Sequence, residues 1–218
     1  MADGRNRGQP IVKEIRIYIE GGGDGKDTKA RLRGGFSFFF KELVQVARSK
    51  QIKWNITVCG SRNNAFRDFK NALADHPNAF IILLVDSEAP VKQPPWEHLK
   101  SRDNWDSPAG VDDTHCYLMV QAMEAWLMAD IDTLKRFYGQ GFKQNEIPKN
   151  INVETIDKDS LERSLKAASR DTKSKGEYQK IQHASKLLEM LDVDKVRKAS
   201  SECDRIFTTL TQLMDKAK

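Results

Sequence analysis

Residues 79–88 read AFIILLVDSE: seven apolar positions from Ala79 to Val85, then Asp86, Ser87 and Glu88. A run of that length, rich in Ile, Leu and Val, predicts a strand buried on both faces. Such a strand belongs in the middle of a parallel sheet. It is far too short to cross a bilayer, which takes about 20 apolar residues as helix.

The flanking sequence supports the same architecture. Ile11–Ile19 (IVKEIRIYI) alternates apolar and polar residues and predicts a first strand, ending at Glu20 before the loop Gly21-Gly22-Gly23-Asp24-Gly25. Over residues 31–48, Phe36, Phe39, Phe40, Leu43, Val44 and Ala47 recur at helical spacing. Trp54–Cys59 predicts a second strand, closed by Gly60. Asn63 or Asn64 is then expected to cap a helix running to about Asp75.

Downstream, residues 89–113 hold Pro90, Pro94, Pro95 and Pro108 among Trp96 and Trp105, and predict a long loop. The tryptophans favour packing of that loop on the domain over stacking on bases. His115–Val120 predicts another strand, Met123–Asp130 a helix, and Asp132–Tyr138 a turn or short helix. Asn145–Asn152, with Pro148, predicts a linker. Residues 157–218 hold no strand pattern and predict three helices, at about 158–169, 177–191 and 201–216. The resulting β-α-β-α-β order implies an α/β fold with helices on both faces of a mainly parallel sheet.

Composition bounds the function classes. With 39% hydrophobic and 31% charged residues, the chain is a globular protein and not a disordered one. Residues 1–10 predict a polar flexible tail without the apolar core of a signal peptide, so a cytoplasmic protein with no membrane association is expected. The net charge of +5 favours a nucleic-acid or other phosphate-bearing partner. Cys59, Cys116 and Cys203 stand alone, without the spacing of a zinc site.

In open parallel sheets, chemistry gathers at the carboxyl ends of the strands. Here those ends carry Glu20, Asp86 and Glu88. On extended backbone, the D-x-E spacing turns both acids to one side. Carboxylate oxygens suit Mg²⁺ or Mn²⁺, which can polarise a phosphoryl oxygen and activate water. The loop EGGGDGKD matches neither the Walker pattern nor G-x-G-x-x-G, so it leaves room around Glu20 and does not cradle a nucleotide in either of those ways.

Other candidates fall in nearby segments. Glu124 stands among Met123, Ala125 and Trp126, where a carboxylate needs a partner or a metal, unless it faces solvent. Lys175, Lys180 and His183 lie in KGEYQKIQH; lysine could neutralise a phosphate and histidine could move a proton, against the alternative of a solvated basic face. Arg62 and Asn63, after the second strand, could grip a phosphate or simply begin a helix.

The acidic motifs carry a resemblance. Glu20-Gly21 and Asp86-Ser87-Glu88 resemble the Toprim pattern of a Glu in a glycine-containing loop after the first strand and an acidic D-x-D after the third, with Glu for the second Asp. IYIEGGGD, GSRNNAFRDFKNAL, LLVDSE, PWEHL, QAMEAWLMAD and KGEYQKIQHASKLLEML together resemble a small Toprim-like family of phage-defence proteins related to the AriB effector of the PARIS system.

That resemblance spans roughly residues 13–192. It implies a Toprim-like catalytic domain over residues 11–145, with a helical extension over residues 146–218 packed on it. It further implies a metal-dependent nuclease acting on RNA such as tRNA, or on DNA, as a toxin-like effector beside an AAA-type ATPase. Glu20, Asp86 and Glu88 would hold the metal; Glu124, Lys175 and His183 would assist catalysis; Arg62, Asn63 and Lys180 would bind substrate. A homodimer is a further possibility. The alternative is a non-catalytic binding or sensor subunit docked to such an ATPase.

Overall fold

A four-stranded, wholly parallel sheet forms the centre of the chain, in the order β2-β1-β3-β4. The computed structural model describes residues 12–217, so the expected tail over residues 1–10, and Ile11 of the expected first strand, lie outside the described residues. The strands are β1 (Glu14–Glu20), β2 (Lys53–Gly60), β3 (Phe80–Asp86) and β4 (Cys116–Met119). Ten α-helices accompany them among the described residues: α1 (Lys26–Phe39), α2 (Lys41–Ser49), α3 (Arg62–Asp75), α4 (Pro95–Asp103), α5 (Glu124–Met128), α6 (Ile131–Tyr138), α7 (Lys158–Ser169), α8 (Lys180–Met190), α9 (Val193–Ala199) and α10 (Ser201–Asp215). The fold is α/β, consistent with the Toprim-like class. No helix among the described residues is long and apolar enough to cross a membrane.

The apolar run at residues 79–85 becomes β3, hydrogen-bonded to β1 on one side and β4 on the other. Its side chains alternate between two cores. Ile82 and Leu84 join Ile15, Ile17 and Ile19 of β1 in one cluster. Ile81, Leu83 and Val85 face the other, with Phe69 of α3 and Trp96 and Leu99 of α4. Each such residue fully removed from water contributes about 1.5–3 kcal/mol, so both faces hold β3 in place. The first cluster runs from Ile15 to Met214 and takes side chains from α7, α8 and α10, so the C-terminal helices share its core.

Several expected boundaries change. The helix expected over residues 31–48 is two, α1 and α2, broken at Phe40; α1 also starts earlier, at Lys26. The cap of α3 is Ser61, whose hydroxyl accepts from the Asn64 N–H, and neither Asn63 nor Asn64. The long loop over residues 89–113 contains α4, which begins with Pro95 at its first position, where a missing N–H costs nothing. Its tryptophans are buried: Trp105 stacks on Phe66 at 4.3 Å, and Trp96 donates to the Asp112 carbonyl at 2.9 Å. The expected linker at residues 145–152 is anchored by Ile147, which is 1% exposed. The C-terminal region forms four helices, α9 being the unexpected one.

Helix α8 lies against α1 because Gly35 has no side chain. A Cβ there would stand 2.7 Å from the Ser185 carbonyl oxygen and 3.2 Å from Leu188 Cβ, both on α8. Gly34 meets nothing within 4 Å. Gly35→Ala should therefore destabilise the protein by roughly 1–3 kcal/mol in denaturant titration through overpacking. Gly34→Ala should be neutral or stabilise by up to about 1 kcal/mol. Equal midpoints for the two variants would refute the close approach.

Candidate metal centre

Glu20 and Asp86 are the last residues of the neighbouring parallel strands β1 and β3, so the sheet itself sets them side by side. Glu88 joins them by a different route from the one its spacing suggested. Its φ is +65°, so the backbone turns after β3 and the strand alternation does not apply. The turn is held by hydrogen bonds from Ser87 N–H to Met119 O (2.9 Å), from Glu88 N–H to Gln121 O (2.8 Å) and from His98 Nε2 to Ser87 O (2.8 Å). One oxygen from each of the three carboxylates then lies within 4.8 Å of the others.

The loop after Glu20 gives way to this arrangement through glycine. Gly21, Gly22 and Gly23 all have positive φ, and a Cβ on Gly60 (φ +88°) would stand 2.7 Å from the Gly23 carbonyl oxygen.

Each acid has cationic neighbours. Arg62 donates to Glu20 at 3.0 Å and grips Asp103 with Nε (3.0 Å) and Nη2 (2.7 Å); it also donates to the Asp86 carbonyl. Its guanidinium lies over Trp105, 5.1 Å from the ring centre. Lys158 pairs with Glu88, and Arg102 lies 3.5 Å from it. Lys180 donates to Glu124 at 3.1 Å and lies 3.6 Å from Asp86. Tyr178, also buried, donates to the other Glu124 oxygen at 3.0 Å.

Burial pushes the Asp86 carboxyl up to about 7; Lys180 opposes that rise, and the charges of Glu124 and Glu20 add to it. Burial also raises Glu20, against the pull of Arg62. Lys180 is held charged: burial works against it, but Asp86 and Glu124 outweigh the loss.

Among the described residues, the hydrogen bonds to Glu20 and Glu88 converge on one oxygen, Oε2 in each case. For Asp86, Oδ1 accepts from the Met123 N–H at 2.8 Å, while Oδ2 has only the more distant Lys180. One oxygen of each acid is thus left without a hydrogen-bond donor. A hard cation binds through such carboxylate oxygens, so the donor set fits Mg²⁺ or Mn²⁺.

The remaining candidates divide. Arg62, Lys180 and Glu124 join the cluster. Asn63 is exposed in the first turn of α3 and makes no hydrogen bond to it. Lys175 is not brought to the carboxylates: it is exposed, with its ammonium 5.2 Å from the centre of the Phe137 ring. His183 is turned away into the core, where its Nδ1 accepts from the Gln179 N–H (3.3 Å) and from Tyr138 OH (3.1 Å). The reason is local: α8 starts at Lys180, so Lys180 projects at its mouth while His183, one turn on, faces inward.

Sequence reading missed Tyr178, Asp103, Arg102 and Lys158. Tyr178 sits two residues before Lys180, in a stretch already singled out. The other three lie in segments read as a loop or a generic helix, where no periodicity marks them.

The sequence profile of DUF4276, a domain of unknown function, matches residues 19–211. The chain belongs to the DUF4276 family. That match takes in the whole cluster, from Glu20 to Lys180. Neither curated proteins nor solved structures yield a match to the chain.

The His183 environment predicts a pH effect on stability. Its pKa is lowered from 6.5, by burial and then by the charge of Lys175. The unfolded chain therefore binds a proton, below about pH 6.5, that the folded chain resists. This contribution is fully present above that pH and declines as pH falls through it. Between about pH 7.5 and 5.5, wild type should lose more stability than His183→Gln in denaturant titration. Parallel pH profiles would count against the assignment.

Proposed function

We propose that this protein is a metal-dependent phosphodiesterase of the nuclease type. The observation that carries the reading is the convergence of Glu20, Asp86 and Glu88 within 4.8 Å, each with one oxygen to which no described residue donates. A divalent ion held there would polarise a phosphoryl oxygen and lower the pKa of a water. Arg62, locked by Asp103 and stacked on Trp105, orients Glu20. Lys180 is placed to stabilise negative charge on a phosphate, and Glu124 with Tyr178 fixes its ammonium.

The net charge of +5 suits a polyanionic substrate. The resemblance to Toprim-like phage-defence proteins supports RNA such as tRNA, or DNA, as that substrate, and an AAA-type ATPase as partner. On this reading the protein is a cytoplasmic effector.

The second reading, a non-catalytic binding or sensor subunit, draws on one observation: every acid of the cluster already faces a cation. The two readings separate by calorimetry. Mg²⁺ or Mn²⁺ should bind wild type, and Glu20→Gln should weaken binding by more than about tenfold, the smallest loss typical even of a residue that only supports a ligand. The same substitution should abolish cleavage of tRNA, other RNA or DNA. A folded protein that binds neither ion supports the subunit reading and sinks the nuclease one.

Lys180→Met should leave metal binding in place and lower kcat by about 10²–10³-fold, the loss typical for removing one charge-stabilising donor. An unchanged kcat would remove Lys180 from the mechanism.

A further inference from the structure

A cavity of about 260 Å³ opens beside the carboxylates. Glu20, Asp86, Lys180 and the Gly21–Gly23 loop line it. Thr28 and Ser185 also line it, and the remaining wall is apolar, from Leu32 of α1, Met119 and Met123, and Ile181 and Ala184 of α8. Ile181 among them is 55% exposed. The catalytic reading uses none of these apolar groups.

We propose that this cavity binds one unpaired nucleobase of the substrate, next to the phosphate held at the carboxylates. The inference rests on the nuclease reading and adds a specificity site to it. A largely apolar cavity with a few polar groups in its lining matches a heterocycle, which has flat apolar faces and a polar edge. The volume lies near the low end for ligand sites, about 300–1,000 Å³, and takes a single base and no base pair.

A base inside a duplex is stacked on both faces and reaches such a slot only by leaving the stack. The site therefore selects nucleotides that are already unpaired. Met119 and Met123 line the slot with flexible thioethers that pack on any aromatic ring. Discrimination is then between base and no base, more than between one base and another.

The test uses full-length protein with Ca²⁺ as a non-hydrolytic ion. The four nucleoside 5′-monophosphates and ribose 5-phosphate, which lacks a base, are titrated by calorimetry and saturation-transfer NMR. The nucleotides should bind about tenfold or more tighter than the sugar phosphate, the range expected for burying one base, and within a few-fold of one another. Ala184→Phe fills the slot and should erase the difference. Ile181→Glu, at an exposed position that leaves the fold intact, should reduce it several-fold.

In parallel, a single-stranded oligonucleotide should bind more tightly than the same strand in a duplex. A free nucleotide that binds with the base preference while the oligonucleotide does not would make this a mononucleotide site and overturn the substrate assignment. Equal binding of nucleotide and sugar phosphate, with Mg²⁺ binding and strand cleavage intact, overturns the base site alone. Absence of metal binding and of cleavage overturns the nuclease reading and this inference with it.

Discussion

Asp86 is a carboxylate taken out of water, and much of the surrounding structure exists to compensate it. The residue ends a strand whose preceding side chains are buried on both faces of the sheet, and it is itself only 7% exposed. A carboxylate there is unfavourable unless compensated. The compensation comes from distant parts of the chain: the Met123 N–H at the head of α5, and Lys180 at the mouth of α8. Lys180 in turn requires Glu124, and Glu124 requires Tyr178. A chain of satisfied polar groups thus ties β3 to α5 and α8. Gly35 is part of the same arrangement, since it lets α8 approach α1 closely enough to bring Lys180 to the carboxylates.

The portion of this that was legible in the sequence follows physical range. β3 was visible because seven apolar residues in a row admit few alternatives, and β1 because its alternation matches a sheet with two unequal faces. The strand-end position of Glu20 and Asp86 followed directly, as both sit at the point where an apolar pattern stops. Glu88 was found for an incomplete reason: its convergence comes from a left-handed turn, which D-x-E spacing does not encode. Asp103 and Lys158 were invisible because their partners lie 41 and 70 residues away, and nothing local marks a long-range ion pair. The choice of Lys180 over Lys175 depends on where α8 begins. That boundary is set by tertiary contacts, and helix ends are the least local feature of such patterns.

The C-terminal helices are consequently not an accessory layer. Leu165, Leu187 and Leu210 lie in one core with Ile17 and Leu84. Lys158 and Lys180 reach the cluster from α7 and α8. A boundary near residue 145, drawn where strand patterns end, separates two sequence textures and divides a single packed core. The family match over residues 19–211 agrees with this, since it spans both textures without a break.

Charge balance gives the cluster its chemical character. Glu20, Asp86, Glu88, Asp103 and Glu124 face Arg62, Arg102, Lys158 and Lys180, which leaves one formal negative charge. Lys158 has a side chain 41% exposed and can swing to solvent, whereas Lys180 is held by the buried Glu124. Arg62, at 13%, cannot swing out either. Arg62 therefore sets the position of Glu20 and Lys180 neutralises Asp86 from a fixed place, while Lys158 neutralises Glu88 reversibly. A divalent ion would turn the formal charge from −1 to +1, and one phosphodiester group would return it to neutrality. Each of the three acids keeps one oxygen to which no described residue donates, and those oxygens are what the cluster offers a divalent ion.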